Sequence, residues 1–169
     1  MGLDGGLKTH RPEMVQTKNV EQTRNLEAIK SQSYSDSCWT ECSLTGMPLQ
    51  SPILVSNHGT LFNKESVLNS IINHSIPKRL SYIKKMKNMK EIDLMGAKNL
   101  LEYVCPISGK SPSKGTKEMW IVLFKCGHLF LESSLKQIGC EKTCPVCGEA
   151  FDDNDIIEIN NFHEISKKK

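Results

Sequence analysis

Two close pairs of metal-binding residues constrain this chain most. The first is Cys126-Gly-His128 and the second is Cys144-Pro-Val-Cys147, with residues 129–143 between them. Four thiolate and imidazole ligands in two short turns are the donor set of a tetrahedral zinc ion. Because strong ligands fill all four positions, none is left for the water molecule that a catalytic zinc binds. The spacing therefore predicts one structural zinc.

Cys105 lies upstream of this set and makes the pattern resemble a RING finger. A RING has eight ligands in cross-braced order and holds two zinc ions. Here the ligands of the second site are all present, whereas the first site keeps only Cys105. Ser108 stands where its partner thiolate belongs, and Leu131 stands where the next Cys after the His is expected. The segment is thus similar to a RING that binds one zinc, with Cys105 as a candidate fifth member of the motif.

The composition favours a reduced, intracellular protein. Its Cys count is seven, an odd number, and no apolar signal segment opens the sequence, so a disulfide scaffold is not expected. The longest apolar run, residues 119–124, is far shorter than a membrane span, and no membrane partner is expected. With 38% hydrophobic and 6% aromatic residues, small braced modules are favoured over one large core.

The pattern along the chain predicts an α+β fold in five segments. An extended, glycine-rich arm occupies residues 1–36. A U-box-like module without metal follows at residues 37–77, and a basic linker at residues 78–102. The RING-like zinc module covers residues 103–161, and residues 162–169 are a tail.

The two modules share one plan, strand, turn, strand and helix. They open with similar Cys turns, Cys42-Ser-Leu-Thr-Gly46 and Cys105-Pro-Ile-Ser-Gly109. Each continues into a strand and a turn that contains Gly59 or Gly127. The first module lacks later Cys and His pairs, so it resembles a U-box, in which hydrogen bonds and packing replace the metal.

A short helix is predicted to close each module. In the first, Asn63 is a suitable N-cap. One buried face is predicted for that helix from the spacing of its apolar residues, Val67, Leu68, Ile71 and Ile72. In the second, the helix is expected from residue 132 to residue 138 and to end at Gly139.

The linker carries a run of positive charge. Residues 78–90 contain six basic residues and no acidic one, among them Lys84, Lys85 and Lys87. Such a run fits phosphate groups or an acidic partner, and a solvated surface is the alternative. Apolar residues recur at every third position in the same run, so part of it is expected to pack, and residues 90–94 are a candidate strand.

Four stretches of the chain resemble the replication termination factor 2 family. They are Met1-Gly-Leu-Asp-Gly-Gly6, the U-box-like Cys42 turn with residues 52–53 and 61–64, the linker residues 82–87, and the Cys and His set. The resemblance implies a nuclear protein that acts at stalled or barrier-blocked replication forks and carries a one-zinc RING-like finger. It also implies a link to pre-mRNA splicing.

Within that family, the resemblance assigns zinc to Cys126, His128, Cys144 and Cys147, with Cys105 as the fifth motif member. Members usually continue into a long charged tail, whereas this sequence ends at Lys169. Contacts that relatives make through such a tail are therefore not expected of these residues.

A non-catalytic adaptor is the favoured function, and a ubiquitin or SUMO ligase is the alternative. A ligase of this type holds a conjugating enzyme on an apolar surface, for which Leu44, Ile107 and Pro145 are the candidates. Active RINGs often place a basic residue just after the last ligand, but here Gly148-Glu149 follow. Direct nucleic-acid binding through residues 78–90 is a third interpretation.

The N-terminal arm is a candidate partner-binding segment. Gly2, Gly5 and Gly6 allow close approach of the backbone to another surface, and Leu3 and Asp4 offer an apolar and an acidic anchor. A frayed end is the alternative. The expected partners are components of the replication fork or of the spliceosome.

Overall fold

Two three-stranded antiparallel sheets form the framework of the computed structural model, which describes residues 36–113, 118–139 and 142–160. The first sheet has the order β2-β1-β3 and contains β1 (Ile53–Ser56), β2 (Leu61–Asn63) and β3 (Met89–Glu91). The second has the order β5-β4-β6 and contains β4 (Trp120–Leu123), β5 (Leu129–Leu131) and β6 (Ile156–Glu158). Helices α1 (Lys64–Ile72) and α2 (Glu132–Ile138) follow β2 and β5. The α+β class is confirmed.

The central strand of each sheet is an uninterrupted buried run. All four residues of β1 and all four of β4 are buried, because each strand is paired on both edges and covered by the core. The pairings repeat between the sheets. Leu54 lies opposite Phe62 and Glu91, while Ile121 lies opposite Phe130 and Glu158. The strand-turn-strand-helix order predicted for each half is present, and the division into separate modules remains a prediction.

Helix α1 contradicts part of the sequence prediction. Val67 is fully buried and Ile71 is half-buried, whereas Leu68 is 39% exposed and Ile72 is 72% exposed. Residues four apart lie on one face of a helix, and their C-terminal neighbours lie about 100° further round. The buried face of this nine-residue helix therefore contains Val67 and Ile71 and excludes Leu68 and Ile72, so it is narrower than predicted.

Helix α2 agrees with the sequence prediction at both ends. It spans Glu132–Ile138, and Gly139 follows in the left-handed conformation with φ of 62°. A residue with a Cβ is disfavoured there, which explains why the helix stops at this glycine.

The segment between the two Cys turns does more than link them. It supplies β3, which pairs with β1. Of its regularly spaced apolar residues, Leu80, Ile83 and Met89 are buried, while Met86 is 39% exposed. The predicted partial packing of this run is therefore confirmed. The strand predicted over residues 90–94 is shorter than expected, because β3 begins one residue earlier and ends at Glu91.

A hydrogen-bonded Asn braces the first half, here residues 36–102. The backbone N–H of Asn63 donates to Cys42 Sγ at 3.3 Å. The Asn63 side chain accepts from the Gln50 N–H at 3.0 Å and donates to the Pro48 carbonyl at 2.9 Å. Asn63 occupies the N-cap position of α1, yet its side chain makes no capping bond. It holds the Cys42 loop instead, the role predicted for hydrogen bonds in a module without metal.

The turn of the first sheet docks on the second sheet. Gly59 lies in the β1–β2 turn with φ of +76°, and its carbonyl accepts a hydrogen bond from the Asn160 N–H at 3.1 Å. A Cβ added to Gly59 would overlap the carbonyl oxygen of Glu158 in β6. Only glycine fits here, because the position requires both a positive φ and close backbone approach.

The turn of the second sheet makes the same contact in return. Gly127 lies in the β4–β5 turn with φ of +85°, and its carbonyl accepts from the Asp93 N–H at 3.0 Å. A Cβ added to Gly127 would overlap the carbonyl oxygen of Glu91 in β3. Each turn thus docks against the third strand of the opposite sheet, and the described residues form one compact unit with a continuous core. We call these the two turn contacts.

Within the described ranges, no helix combines the length and the hydropathy needed to cross a bilayer.

Candidate metal centre

The β4–β5 turn presents the first two candidate ligands, Cys126 and His128. The Gly127 N–H donates to the Leu123 carbonyl at 2.7 Å, and the Leu123 N–H donates to the His128 carbonyl at 3.0 Å. These bonds close a tight loop, which directs the Cys126 and His128 side chains to one side. The positive φ of Gly127 makes the loop this short.

A second turn, after α2, presents Cys144 and Cys147. The Cys144 N–H donates to the Glu149 carbonyl at 2.8 Å, and the Gly148 N–H donates to the Cys144 carbonyl at 2.8 Å. Two flanking residues, Thr143 and Ala150, pair as an antiparallel bridge. Backbone hydrogen bonds therefore fix this turn at its base.

The four side chains meet as the spacing predicted. The sulfur atoms of Cys126, Cys144 and Cys147 and a ring nitrogen of His128 all lie within 4.8 Å of one another. His128 Nδ1 is 3.5 Å from Cys144 Sγ. Thiolates about 2.3 Å from a tetrahedral zinc ion stand about 3.8 Å apart, so the cluster has the size that zinc requires. Three soft sulfur donors and an imidazole are a donor set that suits zinc.

The thiols of this cluster do not ionise alike. Burial raises the pKa of Cys126 to about 12, and the adjacent Cys144 adds to the rise. In contrast, a hydrogen bond with the backbone of Glu149 is the main cause of the lowered pKa of Cys147, which lies at the exposed edge. Three thiolates placed this close together repel one another, and a divalent metal ion supplies the positive charge that compensates them.

A carboxylate lies behind the histidine. His128 Nε2 is 3.5 Å from Asp93 Oδ2, on the ring edge opposite Nδ1. His128 is buried, and its ring also stands against Phe130 with the centroids 6.4 Å apart. Sequence reasoning missed Asp93, because it belongs to the segment interpreted as a linker and no spacing rule connects it to His128.

Hydrogen bonds surround Cys105, the remaining member of the RING-like motif. Its turn has the same bonds as that of Cys144, from the Cys105 N–H to the Lys110 carbonyl and from the Gly109 N–H to the Cys105 carbonyl. Burial opposes ionisation of the thiol, but hydrogen bonds with the Ser108 hydroxyl and the backbone lower its pKa. Among the described residues, Cys105 lies outside the four-residue group. The Ser108 hydroxyl thus faces Cys105 at the position where a RING has its partner thiolate.

Tyr103 supports the strand that follows His128. Its hydroxyl donates to the Leu129 carbonyl at 2.6 Å, and the residue is buried. Burial raises the pKa of Tyr103 above its usual range, so the phenol stays protonated as a donor. The sequence offered no signal for this role, since a single Tyr between loops predicts only packing.

The residues proposed for partner binding fall into different environments. Leu44 and Ile107 are half-buried and pack against the core, whereas Pro145 is exposed. The linker side chains are exposed at Lys84, Lys85 and Lys87. The N-terminal candidates lie outside the described residues, namely Gly2, Leu3, Asp4, Gly5 and Gly6.

Comparison with known proteins agrees with this centre. A family model described as "Rtf2 RING-finger" matches residues 1–169. The chain is 33% identical to "Splicing factor rtf2" of Schizosaccharomyces pombe over 162 residues. This alignment covers 95% of this chain and 65% of that protein. The chain is 30% identical to "Replication termination factor 2" of Homo sapiens over an alignment of 186 residues, which covers 97% of this chain and 58% of that protein. The chain spans less than two thirds of the length of these relatives. It belongs to the Rtf2 RING-finger family.

Proposed function

We propose that this chain is a non-catalytic RING-like adaptor in a nuclear assembly and binds one structural zinc through Cys126, His128, Cys144 and Cys147. The observation that supports the proposal most is the convergence of four strong ligands within 4.8 Å. A structural zinc site is closed in this way, whereas a catalytic site keeps an open position. The metal, when bound, stabilises the two turns, and the surface they display is what a partner recognises.

Replication fork stalling or termination is the process we assign first. The human, macaque and bovine relatives are named for replication termination. Splicing is the second candidate, because the fission yeast relative is named as a splicing factor. Both processes take place in the nucleus, where we place this chain. Affinity purification from nuclear extract decides between them, since fork proteins and spliceosomal proteins are distinct sets.

A ubiquitin or SUMO ligase is the alternative within the same fold. The surface that it needs is only partly available, because Leu44 and Ile107 are half-buried against the core and only Pro145 is exposed. Glu149, which follows the last ligand, has the opposite charge to the basic residue of many active RINGs. Incubation with a panel of conjugating enzymes tests this directly, and self-modification in that assay would contradict the adaptor proposal.

Metal analysis of the purified protein tests the zinc proposal. We expect one equivalent of zinc per chain, bound at the four-residue group. The hydrogen-bonded surroundings of Cys105 argue against a second ion. Two equivalents, or none, would contradict the proposal. Each result is independent of the partner assays above.

The exposed lysines of the linker are proposed to contribute to partner binding. Changing Lys84, Lys85 and Lys87 together to Glu is expected to weaken recovery of the nuclear assembly several-fold, and wild-type recovery should fall as salt rises. The readout is quantitative recovery from nuclear extract at two or more salt concentrations.

A matched control reverses three lysines elsewhere. Lys110, Lys136 and Lys142 each pair with an acidic residue at the surface, and changing them to Glu alters the net charge by the same amount. We expect this control to retain binding. Equal losses in the two triple variants would assign the effect to net charge and not to the linker.

The N-terminal residues 2–6 remain a proposed docking segment.

A further inference from the structure

Asp93 connects the first sheet to the candidate metal centre. It follows β3 by two residues, and its N–H donates to the Gly127 carbonyl at 3.0 Å. Its Oδ1 accepts from the Met95 N–H at 2.9 Å, which fixes the side chain. Its Oδ2 then lies 3.5 Å from His128 Nε2. One residue of the first half thus contacts the turn that holds two of the four ligands.

The orientation of His128 assigns its two nitrogens. Nδ1 is 3.5 Å from Cys144 Sγ, so this nitrogen lies on the ligand side. A metal-bound Nδ1 leaves the proton on Nε2, which faces Asp93. Ligating histidines in proteins commonly donate their second N–H to a carboxylate, and this fixes the tautomer and the ring orientation.

We propose that Asp93 is a positioning residue for the metal centre, through which the first half of the chain sets the affinity of the second half for its ion. The inference rests on the proposed zinc site. Asp93 does not coordinate the ion. It holds the His128 ring with Nδ1 directed at the thiolates, and the Gly127 contact keeps Asp93 in register with that ring.

Two further contacts support the close packing of residues 90–93 against the Gly127 turn. Gly127 lies so close to the Glu91 carbonyl that a Cβ does not fit between them. The Lys90 ammonium donates to the Lys125 carbonyl on the other side of the same turn. Residues 90–93 therefore contact residues 125–128 at several points, namely the Lys125 carbonyl, the Gly127 backbone and the His128 ring. A chance surface contact between Asp93 and His128 would not be supported on both sides.

The reciprocal position provides an internal comparison. Asn160 makes the same contact with Gly59 that Asp93 makes with Gly127, because the Asn160 N–H donates to the Gly59 carbonyl at 3.1 Å. The first turn has Thr60 at the position of His128, and there the Asn160 side chain donates to the Cys38 carbonyl at 3.2 Å. A carboxylate accompanies the turn that has an imidazole directly after its glycine, and an amide accompanies the turn that has Thr60 there. The imidazole of the first turn, His58, precedes its glycine and contacts Tyr82 instead. This difference between carboxylate and amide is the one that an imidazole N–H requires.

The variant Asp93→Asn tests the proposal in the full-length protein. An Asn keeps the Oδ1 acceptor for the Met95 N–H but presents an NH2 donor to the His128 Nε2–H, so the two groups repel. We expect the dissociation constant for zinc, measured by competition with a chromophoric chelator, to rise roughly 10- to 100-fold. The control Glu91→Gln removes a carboxylate two residues away that pairs with Lys64, and it should bind zinc as the wild type does.

Two readouts separate positioning from a merely structural role. The first is the proton resonance of His128 Nε2–H in the zinc-loaded protein, which should move upfield when the carboxylate acceptor is lost. The second is the hydrogen-exchange protection of β1 and β2 in the zinc-loaded protein, which should match in Asp93→Asn and Glu91→Gln. A loss of that protection in Asp93→Asn alone would assign its effect to folding and overturn the inference.

The outcomes also distinguish this inference from the proposed zinc site. Wild-type protein that binds no zinc would refute the site, and the inference with it. Wild-type protein that binds zinc, together with Asp93→Asn that binds it equally tightly, would refute the inference alone.

Discussion

Replacing Gly59 by alanine is expected to destabilise the folded chain by about 3 kcal/mol or more, one of the largest effects of any single methyl group added to it. The backbone at Gly59 has φ of +76°, which costs a residue with a Cβ about 1 to 2 kcal/mol. The added Cβ would also overlap the Glu158 carbonyl, a backbone atom of β6 that yields only if the sheet shifts. Urea denaturation followed by tryptophan fluorescence measures the change.

Gly46→Ala is the matched control for this prediction. Gly46 also has a positive φ, +69°, but among the described residues no atom beyond its two chain neighbours lies within 4 Å of the position that a Cβ would take. It should therefore lose only the backbone contribution, about 1 kcal/mol. Equal losses at the two glycines would show that the contact of Gly59 with Glu158 does not constrain the fold.

Replacing Cys144 by Ser is expected to abolish metal binding and to unfold the second sheet. Cys144 is the buried thiol of the four-residue group, and a serine hydroxyl does not replace a thiolate as a zinc ligand. Zinc contributes about 10 to 16 kcal/mol to the folding of small zinc modules, as much as the whole stability of many domains. Hydrogen exchange by mass spectrometry should show lost protection in β4, β5 and β6.

The Cys144→Ser substitution should also change the hydrogen-exchange protection of the first sheet. Because the Gly127 turn docks on β3, protection of β3 should fall in Cys144→Ser, although less than that of β4. The control is Cys42→Ser, which alters an equally buried thiol outside the metal group and should retain one zinc. Retention of zinc in Cys144→Ser, or its loss in Cys42→Ser, would contradict the assignment of the ligands.

The candidate metal centre was predictable from the sequence because its information is local. Two residues in each of two short turns supply the four candidate ligands, so spacing alone identified the pairs. The strands were predictable for a similar reason. Residues 53–55 and 120–124 are short apolar runs next to turn residues. The central strands Ile53–Ser56 and Trp120–Leu123 form there, and all their residues are buried.

The sequence did not predict features that depend on distant pairing. Asp93 reaches His128 only because β3 joins the first sheet and the Gly127 turn docks beside it. Periodicity carries no information on such a contact. The predicted extent of the buried face of α1 was wrong for a related reason. Periodicity identifies which residues are apolar, but the width of the buried stripe depends on the sheet beneath, which leaves Leu68 and Ile72 in solvent.

The two turn contacts are reciprocal, because each half presents a turn that docks on the third strand of the other half. Both contacts are made by main-chain atoms, the carbonyls of Gly59 and Gly127 and the N–H groups of Asn160 and Asp93. Main-chain contacts are indifferent to the side chains of the residues that make them, apart from the two glycines. Two halves with different side-chain chemistry, a candidate metal centre in one and an Asn-braced loop in the other, are thus joined by the same main-chain contact, to which side-chain contacts such as that of Asp93 with His128 are added.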